Sequence, residues 1–380
     1  MGWRTAKSPL KPGRYLFLGN EACAEGAIAA GCNYFAGYPI TPASEIMEYL
    51  CYRFAEMEGR VFMQMEDELA SIASVIGASW AGARAMSATS GPGLSLMLEN
   101  IGYAIATETP CVVVNVQRIG PSTGQPTRPT QSDVMQARWG AHGDYQNIAL
   151  APWSVAEMYS ETIRAFNLTE RFRVPVFLLA DETVGLLREV VNIEEEVVVF
   201  DRLKAKGQPP FLGKGIAPMP AFGEGEKLLV TGSAHDEWGR RRVTSFRVQA
   251  RLSEHLLGKI ANNAQEIIET EALFCEDERL DVLVVAYGFT ARGASAAITQ
   301  AREKGMRAGL LRLKTLWPFA EGAVREMGRK AERILVPEMN QGQMVREVQR
   351  IWPEAISLPK TDGQVFTPGE LLGAMREAFG

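Results

Sequence analysis

The sequence has no paired cysteines of the kind that bind metals or form disulfide frameworks. Five cysteines are scattered along the chain, at Cys23, Cys32, Cys51, Cys111 and Cys275, and no C-x-x-C pair occurs. This spacing excludes a disulfide scaffold and carries no signature of a structural zinc site or an iron–sulfur cluster.

Long apolar runs and an excess of positive charge are also missing. No apolar stretch in the 380 residues reaches the length needed to cross a bilayer, and residues 1–14 are too polar and proline-rich for a signal peptide. The formal net charge of −5 argues against nucleic acid as a partner. With 46% hydrophobic residues, the composition predicts a soluble, cytoplasmic protein with two globular domains.

Apolar strands alternate with helical segments along the first half of the chain. Strands are predicted at Val61–Met65, Ala85–Ser90, Cys111–Gln117 and Val174–Ala180, and Leu94–Ala106 is one of the intervening helices. This rhythm predicts a mostly parallel sheet covered by helices on both faces. Ligands of such sheets bind at the carboxyl ends of the strands.

A change of composition divides the chain. Residues 193–260 are rich in charge, glycine and proline, and they are predicted to form an extended linker with an interaction surface. A second α/β unit follows, with strands predicted at Val282–Tyr287 and Arg307–Leu313. It has no Walker lysine loop, and its glycine spacing is not that of a dinucleotide-binding fingerprint. The predicted units are therefore residues 1–192, 193–260 and 261–380.

Two prolines constrain the stretch Gly37–Pro42, which reads Gly-Tyr-Pro-Ile-Thr-Pro. Each proline fixes φ and favours an extended predecessor. Pro42 suits the first position of a helix, and Thr41 suits its N-cap, among free backbone N–H groups at the positive end of the helix dipole. Thr41 is then a seat for a carboxylate, although a capped helix start accounts for the stretch when it is taken alone.

Acidic and basic side chains follow two further predicted strands. Glu66, Asp67 and Glu68 come directly after one strand, and Arg118 ends another. Three acids in a first helical turn also simply favour the helix dipole. The functional interpretation is that one carboxylate points into a cleft, where it converges with Thr41 and Arg118 at one edge of the sheet.

Two other segments carry candidate ligands. Residues 119–144 begin as a long loop, and Arg128 and Arg138, with hydroxyl residues between them, suit an anionic ligand, with a subunit contact as the alternative. His235 precedes two acids, but this spacing is not that of ligands on a helix. A solvated or interface turn is predicted there instead.

Six motifs occur together and in order, and they carry a resemblance to a known family. They are Asn20-Glu21-Ala22-x-Ala24-Glu25-Gly26, Tyr38-Pro39-Ile40-Thr41-Pro42, Gln64-Met65-Glu66-Asp67-Glu68, Thr89-Ser90-Gly91-Pro92-Gly93, Gln117-Arg118-x-Gly120-Pro121-Ser122-Thr123-Gly124 and Leu316-Trp317-Pro318-Phe319. The set resembles the alpha subunit of 2-oxoacid:ferredoxin oxidoreductases, the 2-oxoglutarate branch in particular, over residues 15–363. The resemblance implies an α/β fold, with a pyrimidine-binding domain of the thiamine-diphosphate fold in residues 1–192 and a transketolase C-terminal-like doubly wound domain in residues 261–380.

The resemblance also implies roles for single residues. Thr41 matches a threonine that hydrogen-bonds the 2-oxoacid, and Arg118 matches an arginine that holds the substrate carboxylate, for which its planar fork is suited. Glu68 matches the glutamate that contacts the aminopyrimidine ring of thiamine diphosphate and promotes its imino tautomer. Pro39 and Ile40 are expected to line the same cofactor site.

A further group is expected to bind the distal carboxylate of a dicarboxylic substrate. It consists of Ser122, Thr123 and Arg128 in the segment after Arg118.

The sequence departs from a complete enzyme of this family in two respects. It has no Gly-Asp-Gly followed by Asn, the motif that holds Mg²⁺ and diphosphate, and no cysteine set for a [4Fe–4S] cluster. The resemblance therefore implies a beta subunit that carries both and completes the active site, with separate gamma and ferredoxin-like delta subunits. The implied reaction is decarboxylation of a 2-oxoacid, acyl transfer to coenzyme A and electron transfer to ferredoxin. The alternatives are branched-chain 2-oxoacids or pyruvate as substrate, or a non-catalytic assembly subunit.

Overall fold

The computed structural model describes residues 2–213 and 215–379. Its strands are β1 (Trp3–Lys7), β2 (Gly13–Leu18), β3 (Tyr34–Gly37), β4 (Val61–Gln64), β5 (Ala85–Thr89), β6 (Cys111–Ile119), β7 (Gln125–Pro129), β8 (Ile148–Leu150), β9 (Pro175–Asp181), β10 (Arg188–Ile193), β11 (Glu196–Phe200), β12 (Thr270–Leu273), β13 (Leu280–Ala286), β14 (Ala308–Leu313), β15 (Thr315–Trp317), β16 (Ala331–Glu338) and β17 (Ile356–Pro359). Its helices are α1 (Gly19–Ala29), α2 (Ser44–Ala55), α3 (Glu68–Trp80), α4 (Gly91–Ala106), α5 (Val134–Trp139), α6 (Val155–Phe172), α7 (Glu182–Leu186), α8 (Phe246–Ala261), α9 (Ala264–Ile267), α10 (Gly288–Glu303), α11 (Glu321–Gly328), α12 (Val345–Gln349) and α13 (Pro368–Phe379). None of these helices is both long and apolar enough to cross a membrane.

An eight-stranded sheet organises the first half of the chain. Its strand order is β15-β8-β9-β6-β5-β3-β4, and β7 pairs with β6 beside this path. The pairings from β8 through to β4 are parallel, whereas β15 and β7 pair antiparallel. The predicted parallel α/β sheet is therefore confirmed, and the ends of β4, β5 and β6 lie close to those expected from the sequence.

The side chains of β6 explain why both faces of this sheet are covered. Val112, Val114 and Val116 pack with apolar residues of α1, α2 and α6 on one face. Cys111 and Val113 pack on the opposite face with residues of α3 and α4. Successive residues of a strand point to opposite faces, so a run that is apolar at every position, such as Cys111–Val114, requires helices on both.

Small side chains let α1 lie close to its neighbours. A Cβ added at Gly26 would overlap the carbonyl oxygen of Tyr159 in α6. The buried carboxylate of Glu25 accepts hydrogen bonds of 2.6 Å from Arg53 and 2.8 Å from Tyr49, both in α2. The first sequence motif therefore fastens α1 to α2 and α6.

A second sheet has the order β12-β14-β13-β16-β17. All its pairings are parallel except that of β12 with β14. The bounds of β13 and β14 agree closely with the predicted second α/β unit. β15 follows β14 in the chain but pairs with β8, so the second half of the chain contributes a strand to the large sheet.

The segment between β11 and α8 has little regular structure. In the described residues 201–213 and 215–245 there is no helix or strand, and residues 235 and 241 form an isolated β-bridge. The turn predicted at His235 is present directly after it, where Gly239 N donates to the carbonyl oxygen of Asp236 at 2.9 Å, but His235 itself is fully buried within the chain and is not solvated. Its ring packs edge-on against Phe211 at 4.7 Å, and its Nδ1 lies 2.9 Å from the carbonyl oxygen of Ser233.

A buried ionic cluster joins α8 to the large sheet. Glu108 is completely buried, and its Oε2 lies 2.9 Å from both Lys259 Nζ and His255 Nε2. Lys259 also donates to the carbonyl oxygen of Arg173 at 2.8 Å. Burial alone would raise the pKa of Glu108, but the charges of Lys259 and Arg173 and the hydrogen bond with His255 outweigh it and hold the pKa well below its usual range.

Replacing Lys259 by methionine should leave the Glu108 carboxylate buried without its main counter-charge. We expect Lys259→Met to lower the free energy of unfolding by about 3 kcal/mol, measured by urea denaturation. The control is Lys204→Met, which removes an ion pair with Glu224 in which both side chains are exposed, and which should cost less than about 1 kcal/mol. Adding Glu108→Gln to Lys259→Met should recover part of the loss, and equal effects of the two lysine variants would contradict this account.

Candidate active site

Three residues singled out in the sequence come together at the carboxyl edge of the large sheet. Thr41 follows β3, Glu68 begins α3 after β4, and Arg118 lies near the end of β6. Arg118 Nη1 donates a hydrogen bond of 2.6 Å to the carbonyl oxygen of Thr41. The positive charge of Arg118 also opposes the rise in the pKa of Glu68 that burial causes. The expected convergence is observed, and the roles of these residues stay predictions.

The turn that carries Thr41 differs from the prediction. Thr41 is not the N-cap of α2, because that position is held by Ala43. The side-chain amide of Asn20 donates to the carbonyl oxygen of Pro42 at 2.8 Å, and Ala43 N donates to the carbonyl oxygen of Ile40 at 2.8 Å. These two bonds hold residues 40–43 in a turn that precedes the helix.

This turn nevertheless presents side chains to the edge of the sheet. Thr41 and Pro39 are exposed, and Ile40 is half-buried. Within the described residues the Thr41 hydroxyl makes no hydrogen bond, although the Thr41 carbonyl oxygen accepts from Arg118. The hydroxyl is therefore accessible to a ligand at this edge.

The three consecutive acids have three different environments. Glu66 is exposed, whereas Asp67 is the N-cap of α3, and its carboxylate accepts a hydrogen bond of 2.7 Å from Ala70 N. Glu68 is buried, with 4% of its surface exposed. Glu68 lies in the first turn of α3, as the helix-dipole interpretation requires, but its carboxyl group is in addition held inside the protein.

Glu68 lies against the start of α4. A Cβ added at Gly93 would overlap Glu68 Oε1 and also Thr89 Oγ1, so only glycine fits this close approach. Burial raises the pKa of Glu68, and the charge of Asp67 adds to this, whereas the Glu68 backbone N–H and Arg118 oppose it. A buried carboxyl group with a raised pKa is suited to holding or transferring a proton.

Arg118 is a buried cation, and not all of its hydrogen-bond donors have partners. Only 8% of Arg118 is exposed, and its Nε has no hydrogen-bond partner among the described residues. Burial lowers its pKa, whereas the charges of Asp133 and Glu68 raise it. A guanidinium group with an unused donor can bind a carboxylate.

Sequence reasoning missed two residues beside Arg118. Asn115 Nδ2 donates to Asp133 Oδ2 at 2.9 Å, and Asp133 N donates to Gln117 Oε1 at 3.1 Å. Burial raises the pKa of Asp133, whereas Asn115 and Arg118 lower it. Asn115 was detectable as a polar residue within the otherwise apolar strand β6, but no sequence signal links it to Asp133.

The long loop predicted after β6 is instead largely structured. β6 continues to Ile119 and forms an antiparallel hairpin with β7, and α5 follows. Ser122 has φ +61°, and Gly124 has φ +56° at a point where a Cβ would overlap the carbonyl oxygen of Ile119. This tight turn allows the chain to reverse within five residues, between Ile119 and Gln125. We call residues 119–129 the substrate hairpin, after the substrate-binding role that the sequence predicts for three of its residues.

The expected distal-carboxylate group lies on this hairpin. Ser122, Thr123 and Arg128 are exposed, and within the described chain no hydrogen bond joins them to Glu68 or Arg118. Burial raises the pKa of Glu182, at the start of α7, and the positive charge of Arg128 opposes this rise. The structure therefore places the group on an element that continues β6, without joining it directly to the central cluster.

Arg138 does not belong to this group. It is buried and stacks on the ring of Trp139 at 3.8 Å, and it donates to the carbonyl oxygen of Tyr145 at 2.9 Å. In residues 2–213 and 215–379, no group of three His, Cys, Asp or Glu side chains is arranged to hold a metal ion.

Replacing Gly93 by alanine should push the Glu68 carboxylate out of place. We expect Gly93→Ala to lower the free energy of unfolding by about 1–3 kcal/mol, because the added methyl group overpacks a filled site. Gly77→Ala is the control, since a Cβ at Gly77 in α3 meets nothing within 4 Å and should instead add up to about 1 kcal/mol. In a Glu68→Ala background the cost of Gly93→Ala should shrink. An unchanged cost there would show that the clash with Glu68 is not the cause.

Comparisons with known proteins agree with this architecture. A family model described as pyruvate flavodoxin/ferredoxin oxidoreductase, thiamine diphosphate-binding, matches residues 25–254. A second, described as pyruvate:ferredoxin oxidoreductase core domain II, matches residues 280–371.

Several relatives align over most of the chain. The 2-oxoglutarate synthase subunit KorA of Methanothermobacter marburgensis is 47% identical, covering 94% of this chain and 97% of the relative. The corresponding subunit of Methanocaldococcus jannaschii is 48% identical, covering 93% and 96%. The ketoisovalerate oxidoreductase subunit VorB of Methanothermobacter thermautotrophicus is 37% identical, covering 87% and 88%.

Solved structures share the fold. The 2-oxoglutarate:ferredoxin oxidoreductase from Magnetococcus marinus, with 2-oxoglutarate, coenzyme A and succinyl-CoA bound, superposes with a TM-score of 0.90 at 32% identity, covering 97% of this chain and 65% of that one. A split-gene transketolase, described as an inactive beta4 tetramer, superposes with a TM-score of 0.55 at 12% identity over 96% of this chain and 98% of that one, which is a likeness of fold alone. The resemblance carried by the six motifs is therefore confirmed: with a thiamine-diphosphate-binding α/β fold, the chain belongs to the family of 2-oxoacid:ferredoxin oxidoreductase alpha subunits.

Proposed function

We propose that this chain is the alpha subunit of an enzyme that oxidatively decarboxylates 2-oxoglutarate with coenzyme A and passes the electrons to ferredoxin. The observation that carries the proposal is the buried Glu68 carboxyl beside Arg118 and Thr41, in a chain 47–48% identical to subunits named 2-oxoglutarate synthase. The identity of 37% to a ketoisovalerate oxidoreductase subunit supports branched-chain 2-oxoacids as the second candidate substrates.

The residues of the cluster fit the pyrimidine end of thiamine diphosphate. Glu68 presents a carboxyl group of raised pKa from a site that the bare backbone of Gly93 helps to form. Pro39 and Ile40 lie on the neighbouring turn and supply apolar surface. When bound, thiamine diphosphate stabilises the negative charge that develops as carbon dioxide leaves the 2-oxoacid.

Three side chains of this chain then have separate tasks. Glu68 holds a proton in hydrogen-bond contact with a pyrimidine ring nitrogen, and its burial keeps water from competing for that bond. Arg118 directs its guanidinium group toward the substrate carboxylate. The free Thr41 hydroxyl donates a second hydrogen bond to the 2-oxoacid.

The distal carboxylate of 2-oxoglutarate is assigned to the substrate hairpin. Arg128 supplies the positive charge there, and Ser122 and Thr123 supply hydroxyl donors. A monocarboxylic 2-oxoacid has no distal carboxylate for these side chains to bind, so they favour a dicarboxylic substrate over a monocarboxylic one.

The rest of the active site is assigned to a beta subunit that holds Mg²⁺, the diphosphate and a [4Fe–4S] cluster. An apolar surface beside the candidate site supports a docked partner. β4 is the edge strand of the large sheet, and the exposed apolar residues on it and on neighbouring elements are Tyr38, Tyr52, Val61, Met63, Leu69 and Leu96. An open sheet edge with apolar side chains is a usual place for pairing with another chain. Separate gamma and ferredoxin-like delta subunits complete the proposed enzyme, so the alpha chain alone is inactive.

The role of Glu68 is tested in the complex reconstituted with its partner subunits. We expect Glu68→Gln to lower kcat for 2-oxoglutarate-dependent dye reduction by about 100-fold or more, because the amide cannot hold the same proton. Glu66→Gln, the same change at the exposed neighbour, should leave kcat within about twofold of the wild type. Full activity of the Glu68 variant would favour a non-catalytic assembly subunit.

The role of Arg128 is tested by comparing substrates. Arg128→Ala should raise the KM for 2-oxoglutarate about 10- to 100-fold, the effect of losing one charge-assisted hydrogen bond, and should change the KM for 2-oxobutyrate little. The control is Arg325→Ala, which removes a half-exposed arginine of α11. An equal rise for both acids would refute the assignment of Arg128 to the distal carboxylate.

A further inference from the structure

Hydrogen bonds from the second half of the chain hold the segment that follows the substrate hairpin. Thr130 Oγ1 donates to the carbonyl oxygen of Met339 at 2.9 Å, and Gln343 Nε2 donates to that of Ser132 at 2.5 Å. The backbone of this segment is therefore fixed by residues that follow β16.

Gln131 is the centre of these contacts and is completely buried. Its Oε1 accepts from Thr290 Oγ1 at 2.9 Å and from Met339 N at 3.1 Å. Its Nε2 donates to the carbonyl oxygen of Tyr287 at 3.0 Å and to Asp181 Oδ2 at 3.2 Å. Each end of the side-chain amide therefore makes two hydrogen bonds.

The backbone of Gln131 is held as well. Its N–H donates to the carbonyl oxygen of Met339 at 3.0 Å, and its carbonyl oxygen accepts from Asn340 Nδ2 at 2.7 Å. Asn340 Nδ2 also donates to Glu338 Oε2 at 3.0 Å, and that carboxylate accepts from Tyr287 Oη at 2.9 Å. Gln131 thus belongs to a buried polar network in which most of the partners lie at or just after the carboxyl ends of β13 and β16.

These partners require an amide at position 131. A backbone N–H such as that of Met339 can only donate, and a carbonyl oxygen such as that of Tyr287 can only accept. Glutamate has no donor when ionised, and it would place its charge against Asp181. Leucine has neither donor nor acceptor and would leave several buried polar groups without partners.

The position of Gln131 in the chain connects this network to both parts of the candidate site. Arg128 lies three residues before it on the hairpin. Asp133 lies two residues after it, is hydrogen-bonded to Asn115, and raises the pKa of Arg118 through its negative charge. The second half of the chain also contacts the hairpin itself. A Cβ added at Gly363 would lie only 3.2 Å from Arg128 Cβ.

We propose that Gln131 is a positioning residue that fixes the substrate hairpin against the second sheet and so determines the selectivity for a dicarboxylic 2-oxoacid. The proposal rests on the proposed function of the hairpin and goes beyond it in assigning a role to the second half of the chain. Gln131 itself touches neither substrate nor cofactor.

The experiment uses the reconstituted complex with Gln131→Glu and, as a milder variant, Gln131→Asn, whose shorter side chain keeps the amide but cannot span the same partners. The matched control is Arg292→Met. It removes an ion pair of 2.5 Å between Arg292 in α10 and Glu189 in β10, which joins the two halves of the chain without a hydrogen bond to residues 119–129 or to Gln131. Two quantities are measured: kinetic constants for 2-oxoglutarate and 2-oxobutyrate, and amide hydrogen exchange in residues 119–129.

We expect both Gln131 variants to exchange faster in residues 119–129 and to raise the KM for 2-oxoglutarate about tenfold, with the KM for 2-oxobutyrate within about twofold. Arg292→Met should change neither quantity. Equal loss for both substrates, or the same effects in Arg292→Met, would show that Gln131 only joins the two halves of the chain and would overturn the proposal.

Failure of the proposed function has a different signature. In that case the wild-type complex itself shows no preference for 2-oxoglutarate over 2-oxobutyrate, and the selectivity assigned to Gln131 falls with it. Unchanged exchange in residues 119–129 of the Gln131 variants would overturn the positioning role whatever the wild-type preference.

Discussion

The close approach of Gly93 to the buried carboxyl of Glu68 is the constraint on which the candidate site depends. Because position 93 has no side chain, the start of α4 can lie against Glu68 and keep its carboxyl group away from water. Burial then raises the pKa of Glu68, while Arg118 limits the rise. Arg118 is fixed in turn by its hydrogen bond to the Thr41 backbone, so three strand ends meet through one short chain of contacts.

The two halves of the chain are also joined to each other, by strand pairing and by buried hydrogen bonds. β15, which belongs to the second half of the chain, pairs with β8 in the large sheet. Gln131, which belongs to the first half, makes buried hydrogen bonds to Tyr287 and Met339 in the second half. The substrate hairpin lies between these connections. In the proposed function, substrate recognition therefore depends on how both sheets pack and not on the hairpin alone.

The sequence predicts the sheet because strand and helix periods are local, and it predicts the edge where Glu68 and Arg118 meet because parallel strands align their carboxyl ends. It could not predict the turn at Thr41, because Asn20 from a separate helix holds that turn. The burial of His235 and the network around Gln131 were equally inaccessible, since their partners are distant in the chain and no local pattern encodes them. The six motifs identified the family, whereas the network of hydrogen bonds around Gln131 could be identified only from the structure.

The most direct test of the account is the rate at which thiamine diphosphate bound to the reconstituted complex exchanges its thiazolium C2 proton with deuterium. If Glu68 holds a proton at the pyrimidine ring, Glu68→Gln should slow this exchange by about 100-fold or more while the cofactor stays bound, and Glu66→Gln should leave it unchanged. An unaltered exchange rate in the Glu68 variant, with cofactor occupancy equal to that of the wild type, would contradict the assignment of the catalytic carboxylate to this chain.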